Sequence, residues 1–233
     1  MANVLYLSSP VNALVEGLYE ENVPLSAIRR RGDFGLGTFN QLDGEMVMLD
    51  GEVFQVRGDG AVSLVEGDPM TPFACVTFFK ALAHDQIPPG LDQRGFAAFL
   101  EGLFPSRNIC YAIRVEGRFS YVKTRSVPRQ DNYRPLAEVA GEQPTFEFKD
   151  VEGTLAGFFT PSFMPSLNVP GLHLHFLSSD RSCGGHLLEC RPAAAEVGVQ
   201  YLNELAVSLP FTLDYLTTEL GRDVRGDLRK AEH

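Results

Sequence analysis

The sequence predicts an α+β fold dominated by β-structure and built as two mixed β-sheet subdomains. Residues 32–79 fall into short apolar or alternating runs cut by Gly, Asp and Pro. A second series of such runs follows a polar, Pro- and Glu-containing stretch from Pro128 to Pro144, and helical spacing is confined to two segments. Many strands with few helices pack as sheet on sheet, or as a sheet closed on itself. The expected division is an N-terminal mixed sheet with flanking helices over residues 1–140 and a partly closed, barrel-like sheet over residues 141–233.

In order along the chain, Ser9-Pro-Val-Asn-Ala-Leu-Val-Glu-Gly-Leu-Tyr-Glu20 opens with a Ser suited to cap a helix and a Pro suited to its first turn. Val11, Leu14, Val15 and Leu18 fall on one face, so an amphipathic helix is predicted. Arg29-Arg30-Arg31 reads as a solvated helix end. Gly35 to Phe39, Glu45 to Leu49, Glu52 to Val56 and Ala61 to Val65 read as hairpin-connected strands. Gly35-Leu-Gly37 lacks the third glycine and the following helix of a dinucleotide fingerprint. Leu91 to Leu103 returns to helical spacing, and Ile109 to Val115 and Phe119 to Val127 are predicted as two strands joined by a turn at Glu116-Gly117-Arg118. Past the boundary, Phe146 to Phe159, His173 to Phe176, His186 to Cys190 and Val197 to Val207 read as strands, with a Pro-rich loop from Ser162 to Gly171 between the first two.

Three of the five histidines lie within fourteen residues, in Gly171-Leu-His-Leu-His-Phe-Leu-Ser-Ser-Asp-Arg-Ser-Cys-Gly-Gly-His-Leu-Leu-Glu-Cys190. Strand alternation puts His173 and His175 on one face and Leu172, Leu174 and Phe176 on the other. Ser178 to Gly185 reads as a turn, and Leu187-Leu188 as the start of a returning strand that brings His186 across to the pair. Three imidazoles with an open fourth position are the ligand set of a catalytic zinc. Closure by a cysteine gives a structural site instead, and Cys183 and Cys190 keep that alternative open.

The balance of 20 Lys and Arg against 30 Asp and Glu gives a net charge of -10, which repels phosphate backbones and anionic membrane surfaces. Neither nucleic acid nor membrane is an expected partner. The N-terminal residues lack a basic n-region, no apolar run is long enough to cross a bilayer, and the four cysteines form no Cys-x-x-Cys pair. A cytoplasmic protein with free thiols is the expectation.

Several separated motifs occur in a telling order: Gly32-Asp-Phe-Gly-Leu-Gly-Thr-Phe-Asn, Leu42-Asp-Gly-Glu-Met-Val-Met-Leu-Asp-Gly, Thr124-Arg-Ser-Val-Pro, Gly153-Thr-Leu-Ala-Gly-Phe-Phe-Thr-Pro, and His173-Leu-His to Gly184-Gly-His-Leu. Over nearly the whole chain this pattern resembles the acetolactate decarboxylases, zinc enzymes that convert 2-acetolactate to acetoin and carbon dioxide. The resemblance implies a bound Zn2+ held by His173, His175 and His186, catalytic roles for Glu45, Arg125 and Glu232, and substrate binding by Thr38 and Arg125. A small-molecule substrate, a place in acetoin and butanediol formation, and a homodimer are expected with it. The tail from Asp223 to His233 is expected to fold back so that Glu232 reaches the metal.

The residue types suit that chemistry. In 2-acetolactate a ketone lies β to the carboxylate, so the substrate carries its own electron sink and needs no pyridoxal or thiamin. A zinc chelated by the ketone and hydroxyl oxygens acts as a Lewis acid on the enediolate charge that develops as carbon dioxide departs. The planar fork of Arg125 suits a carboxylate, while Glu45 and Glu232 complete or flank the metal shell and handle the hydroxyl proton. Delivery of the final proton stays open between Glu45 and a zinc-bound water, since arginine holds its proton too tightly. By pattern alone, Glu45 after Asp43-Gly44 also fits a solvated hairpin acid, and Arg125, sharing a strand face with Lys123, also fits a wet face.

Two readings from other classes compete. His-x-His with Gly-Gly-His also occurs in the plant and prokaryote conserved DNA-associated domain, a non-catalytic module that lacks the decarboxylase acids. Cupin-type metal enzymes also place His-x-His on a strand. The net charge of -10, Glu45 and Arg125 count against the first, and Ser-Ser-Asp at positions 178–180, where a cupin has glutamate, counts against the second.

Overall fold

The computed structural model describes residues 3–21, 23–131, 134–141 and 143–232, with residue 232 described for its backbone alone. Its elements in the first part of the chain are β1 (Val4–Leu7), α1 (Val11–Val15), β2 (Val23–Pro24), α2 (Leu25–Arg29), β3 (Phe34–Thr38), β4 (Glu45–Leu49), β5 (Glu52–Val56), β6 (Val62–Leu64), β7 (Met70–Thr71), β8 (Ala74–Thr77) and β9 (Ala83–Ile87). There follow α3 (Gln93–Gly102), β10 (Cys110–Arg125), α4 (Leu136–Ala140), β11 (Thr145–Thr160), β12 (Gly171–Ser178), β13 (Gly184–Leu202), β14 (Glu204–Val207), α5 (Leu213–Thr217) and α6 (Arg225–Glu232).

The α+β, β-dominated class holds. One sheet runs in the order β14-β1-β8-β3-β4-β5-β6 and a second in the order β10-β11-β12-β13-β9, while β2 and β7 form a small ladder of their own. Only the first sheet is mixed, because β1 pairs β14 in parallel. The second sheet is antiparallel in every pairing, which corrects the expectation of two mixed sheets. Its long strands reverse direction from one to the next, and reversed neighbours pair antiparallel. β10 pairs with β11 along one side and with β13 along the other, and β12 bridges β11 and β13.

The sheets do not divide the chain at residue 140. β9 and β10 precede that point yet belong to the second sheet, and β14 returns to complete the first. Apolar alternation marks a strand without naming its partner, so a composition break between Pro128 and Pro144 is no guide to sheet membership. The predicted turn at Gly117 is likewise absent. β10 runs unbroken through it, and Gly117 (φ 146°) faces Gly153 and Ala195 on the neighbouring strands. A Cβ there would lie 2.2 Å from the Ala194 carbonyl oxygen, so this glycine permits close strand approach rather than a bend. The predicted N-terminal helix is cut to Val11–Val15, with Pro10 at its cap and Gly17 at φ 88° just beyond its end. All five of its residues are buried, so it is not amphipathic. Helix α3 meets expectation. The Asp92 carboxylate caps it by accepting from the Gly95 amide at 2.7 Å, and Phe96 and Leu100, one turn apart, bury against the second sheet.

Alternation along the strands decides which side chains face the gap between the sheets. On β4, Met46 and Met48 face one core, whereas Val47 and Leu49 face the core shared with the second sheet. On β12, Leu174 and Phe176 face the second sheet's own core, whereas Leu177 joins the shared one. By the same period, Glu45 on β4 and His173 and His175 on β12 share the faces turned toward each other.

Candidate active site

A cavity of about 50 Å³ opens between the sheets, lined by Thr38, Glu45, Arg125, His173, His175 and His186 among apolar walls that include Leu14, Phe73, Val127, Leu136 and Val169. The hairpin of β12 and β13 aligns His175 directly opposite His186. His186 is in turn the cross-strand partner of Arg125 at the end of β10. That approach is close because Gly185 (φ 127°) has no side chain, and a Cβ there would lie 2.5 Å from the Arg125 carbonyl oxygen. From the other sheet, Thr38 and Glu45 face one another across β3 and β4.

The three imidazoles form a nearly equilateral triangle, with ring centroids 5.1, 5.0 and 5.4 Å apart. One nitrogen from each lies within 4.8 Å of the others. His175 and His186 are buried, and His173 is partly so. His175 Nδ1 sits 2.8 Å from the Met46 carbonyl oxygen, which can only accept, so Nδ1 carries the hydrogen and Nε2 the lone pair. Burial, with His173 and Arg125 adding to it, holds the pKa of His175 well below its usual value, and the ring is neutral.

His175 Nε2 is buried without a hydrogen-bond partner among the described residues, and Glu45 Oε2 lies 3.5 Å from it. A neutral imidazole lone pair facing a carboxylate oxygen repels it unless a proton or cation stands between them. The donor set therefore fits a metal ion, since neutral imidazoles and a carboxylate are the ligands of zinc and its neighbours. Cys183 and Cys190 do not join the cluster, so a Cys-closed site finds no support among the described residues.

Glu45 and Arg125 are each only 7% exposed, which rules out a solvated hairpin acid for the first and a wet face for the second. Arg125 Nη2 donates to the carbonyl oxygen of Ala231 on α6, while its Nε is buried without a hydrogen-bond partner among the described residues. The Thr38 hydroxyl donates to the Gly44 carbonyl oxygen at 2.7 Å and keeps its lone pairs for another group. The tail packs against this cavity: Val224, just before α6, and Leu228 and Ala231 on it are buried, and Ala231 lines the wall. Glu232 ends α6, and its side chain lies outside the described residues.

The sequence reading missed two features. The Met46 carbonyl that sets the His175 tautomer is a backbone group with no signature in the sequence. Gln143 also lines the cavity, its Oε1 buried and without a hydrogen-bond partner among the described residues, and nothing distinguishes it within its polar stretch.

Comparison with known proteins adds to this geometry. A family profile described as alpha-acetolactate decarboxylase matches residues 5–222. The alpha-acetolactate decarboxylase of Methanosarcina mazei is 41% identical to this chain over 99% of its length and 81% of the relative's. That of Bacillus subtilis strain 168 is 36% identical over 98% of this chain and 90% of the relative. A crystal structure of alpha-acetolactate decarboxylase from Bacillus subtilis strain 168 aligns with a TM-score of 0.95 at 35% identity, covering 98% of this chain and 99% of the other.

Proposed function

The chain belongs to the alpha-acetolactate decarboxylase family, whose members are carboxy-lyases, and from that premise we propose that it forms acetoin from 2-acetolactate at the His173, His175 and His186 cluster, with Zn2+ as its metal. The observation that carries the metal reading is the neutral His175 lone pair turned toward the Glu45 carboxylate at 3.5 Å. When bound there, the ion supplies Lewis-acid stabilisation of negative charge on oxygen.

The protein's own groups account for the rest. Arg125, buried and with an Nε that has no hydrogen-bond partner among the described residues, holds the substrate carboxylate and orients it for departure. The apolar walls exclude water, which strengthens that hold and destabilises a charge on C1 relative to neutral carbon dioxide. As the bond between C1 and C2 breaks, its electron pair passes into the bond between C2 and C3 and onto the ketone oxygen, leaving an enediolate. Glu45 Oε2 accepts the hydroxyl proton and returns it to the same oxygen as C2 gains one proton, drawn finally from water, so that acetoin leaves neutral and Glu45 is again ionised. Thr38 offers its oxygen lone pairs to the substrate hydroxyl. Glu232, at the end of the α6 backbone beside Ala231, is retained as the second acid. The ring of pairings among β10, β11, β12 and β13 supports reading the second sheet as the partly closed barrel that carries the metal hairpin.

The direct test is acetoin formation from racemic acetolactate by the zinc-loaded protein, and a loaded protein that forms none overturns the reading. Glu45→Gln is expected to keep the fold and most of the metal yet to slow turnover by about 10²–10⁴-fold, the usual weight of a positioned acid or base. An unchanged rate with unchanged metal content removes Glu45 from the chemistry.

Among the described residues, no helix is long and apolar enough to cross a membrane. The four free cysteines suit the reducing cytoplasm, the location we propose. We also assign a homodimer, because β14 is an edge strand and Leu209, Phe211, Leu213 and Leu216, which follow it in the chain, are 58–90% exposed. Sedimentation equilibrium should return twice the 25.7 kDa chain mass, and a single-chain mass at micromolar concentration overturns this assignment.

A further inference from the structure

A second, larger cavity of about 310 Å³ adjoins the first. Its walls are Ser162, Val169, Pro170, Gly171 and the α6 residues Arg225, Leu228 and Arg229. Val169 lines both cavities, and Gly171 begins the strand that carries His173 two residues on. Positions i, i+3 and i+4 of a helix lie on one face, so Arg225, Leu228 and Arg229 present a single surface to this space. Ala231 of the same helix lines the inner cavity and is held by Arg125. One helix therefore spans both cavities, with two arginines lining the outer one.

The charges around these arginines leave them available. Arg225 Nε is 3.8 Å from Asp223 in a pair that is mostly solvent-exposed and so weakly held. Asp227 is taken up by Arg222, 2.5 Å away, which is also bonded to Glu16. Arg229 makes no ion pair among the described residues. On a chain of net charge -10, an anion meets repulsion over most of the surface, and a basic, partly apolar recess is where its local concentration rises.

We propose that this outer cavity is a capture site for small carboxylate anions, in which Arg225 and Arg229 gather the substrate from solvent and pass it along the Val169 wall to Arg125. The inference rests on the decarboxylase reading, in that it needs an anionic substrate. It assigns these two arginines to capture and leaves the bond-breaking step to the inner cavity.

The test compares the full-length, metal-loaded protein with Arg225→Gln/Arg229→Gln and with Arg225→Lys/Arg229→Lys, measuring acetoin formation from about 10 mM to about 300 mM salt, a range that contracts charge screening from about 30 Å to under 10 Å. Removal of both charges is expected to lower kcat/KM at low salt by about tenfold, mainly through KM, and to flatten its fall with added salt. The lysine pair is expected to restore both, because capture at this distance needs charge rather than a bidentate grip. Melting temperature and metal content check that each variant is intact. Should the glutamine pair lose activity by unfolding, the lysine pair still reports: near-normal kcat/KM and salt slope support capture by charge, and a loss equal to that of the glutamine pair overturns it. A glutamine pair that folds and keeps wild-type kcat/KM and salt slope also overturns the proposal. Absence of acetoin from the unmodified protein is a different failure, that of the decarboxylase reading itself.

Discussion

His175→Ala is expected to lose both bound metal and turnover. The unmodified protein should carry about one zinc per chain, and removing one of three neutral ligands from an open site leaves too few to retain it. Loss of the Lewis acid costs several kcal/mol of charge stabilisation, which corresponds to a fall in rate of at least about a thousandfold. The substitution also strands the buried Met46 carbonyl that His175 Nδ1 satisfies, at about 1–3 kcal/mol of stability. His175→Gln, which fills more of the space, separates the two effects, since it should fold more stably than the alanine variant and still bind metal poorly. Elemental analysis of the purified variants, alongside their melting temperatures, decides the matter. Full zinc occupancy in either one would remove His175 from the ligand set.

Arg125→Lys keeps the charge and is nevertheless expected to be damaging. The guanidinium has one task in the structure and a second under the proposed function: Nη2 holds the Ala231 carbonyl of α6, and Nε, buried without a hydrogen-bond partner among the described residues, would grip the substrate. A lysine ammonium is a single point and cannot hold α6 while presenting a planar fork to a carboxylate. Loss of one charge-assisted hydrogen bond of about 3 kcal/mol corresponds to roughly a hundredfold in kcat/KM. A modest drop in melting temperature should accompany it, from the loosened helix. If the variant turns over and binds substrate almost normally, Arg125 serves the fold alone.

The legible part of the site was the part that is local in sequence. Alternation put His173 and His175 on one face, the glycine- and serine-rich turn brought back His186, and the structure pairs His175 with His186 as that reasoning requires. Glu45 and Arg125 were different. Each fitted a bland exposed position as well as a functional one, and only the resemblance to a family raised them, because burial is decided by the element that lands on a residue and not by its neighbours in sequence. Gln143 and the Met46 carbonyl carried no signal of any kind. In the fold, Gly117 read as a turn because glycine serves both bends and close backbone approach, and the two uses look alike in one dimension.

What the sequence determined by itself was strands β3 to β6 and β11 and the hairpin that presents three imidazoles on one side, though not β1, β2, β7, β8 or β9, since a period of two and tight-turn residues act over a few residues and need no partner. Tertiary structure decided which strands share a sheet, sending β10 to the second sheet and β14 back to the first. It also set Glu45 of one sheet 3.5 Å from His175 of the other, and packed α6 against the cavity and onto Arg125. These contacts join residues about 100 or more positions apart. Their energies come from burial of apolar surface across the whole interface between the sheets, a sum that no short stretch of sequence contains.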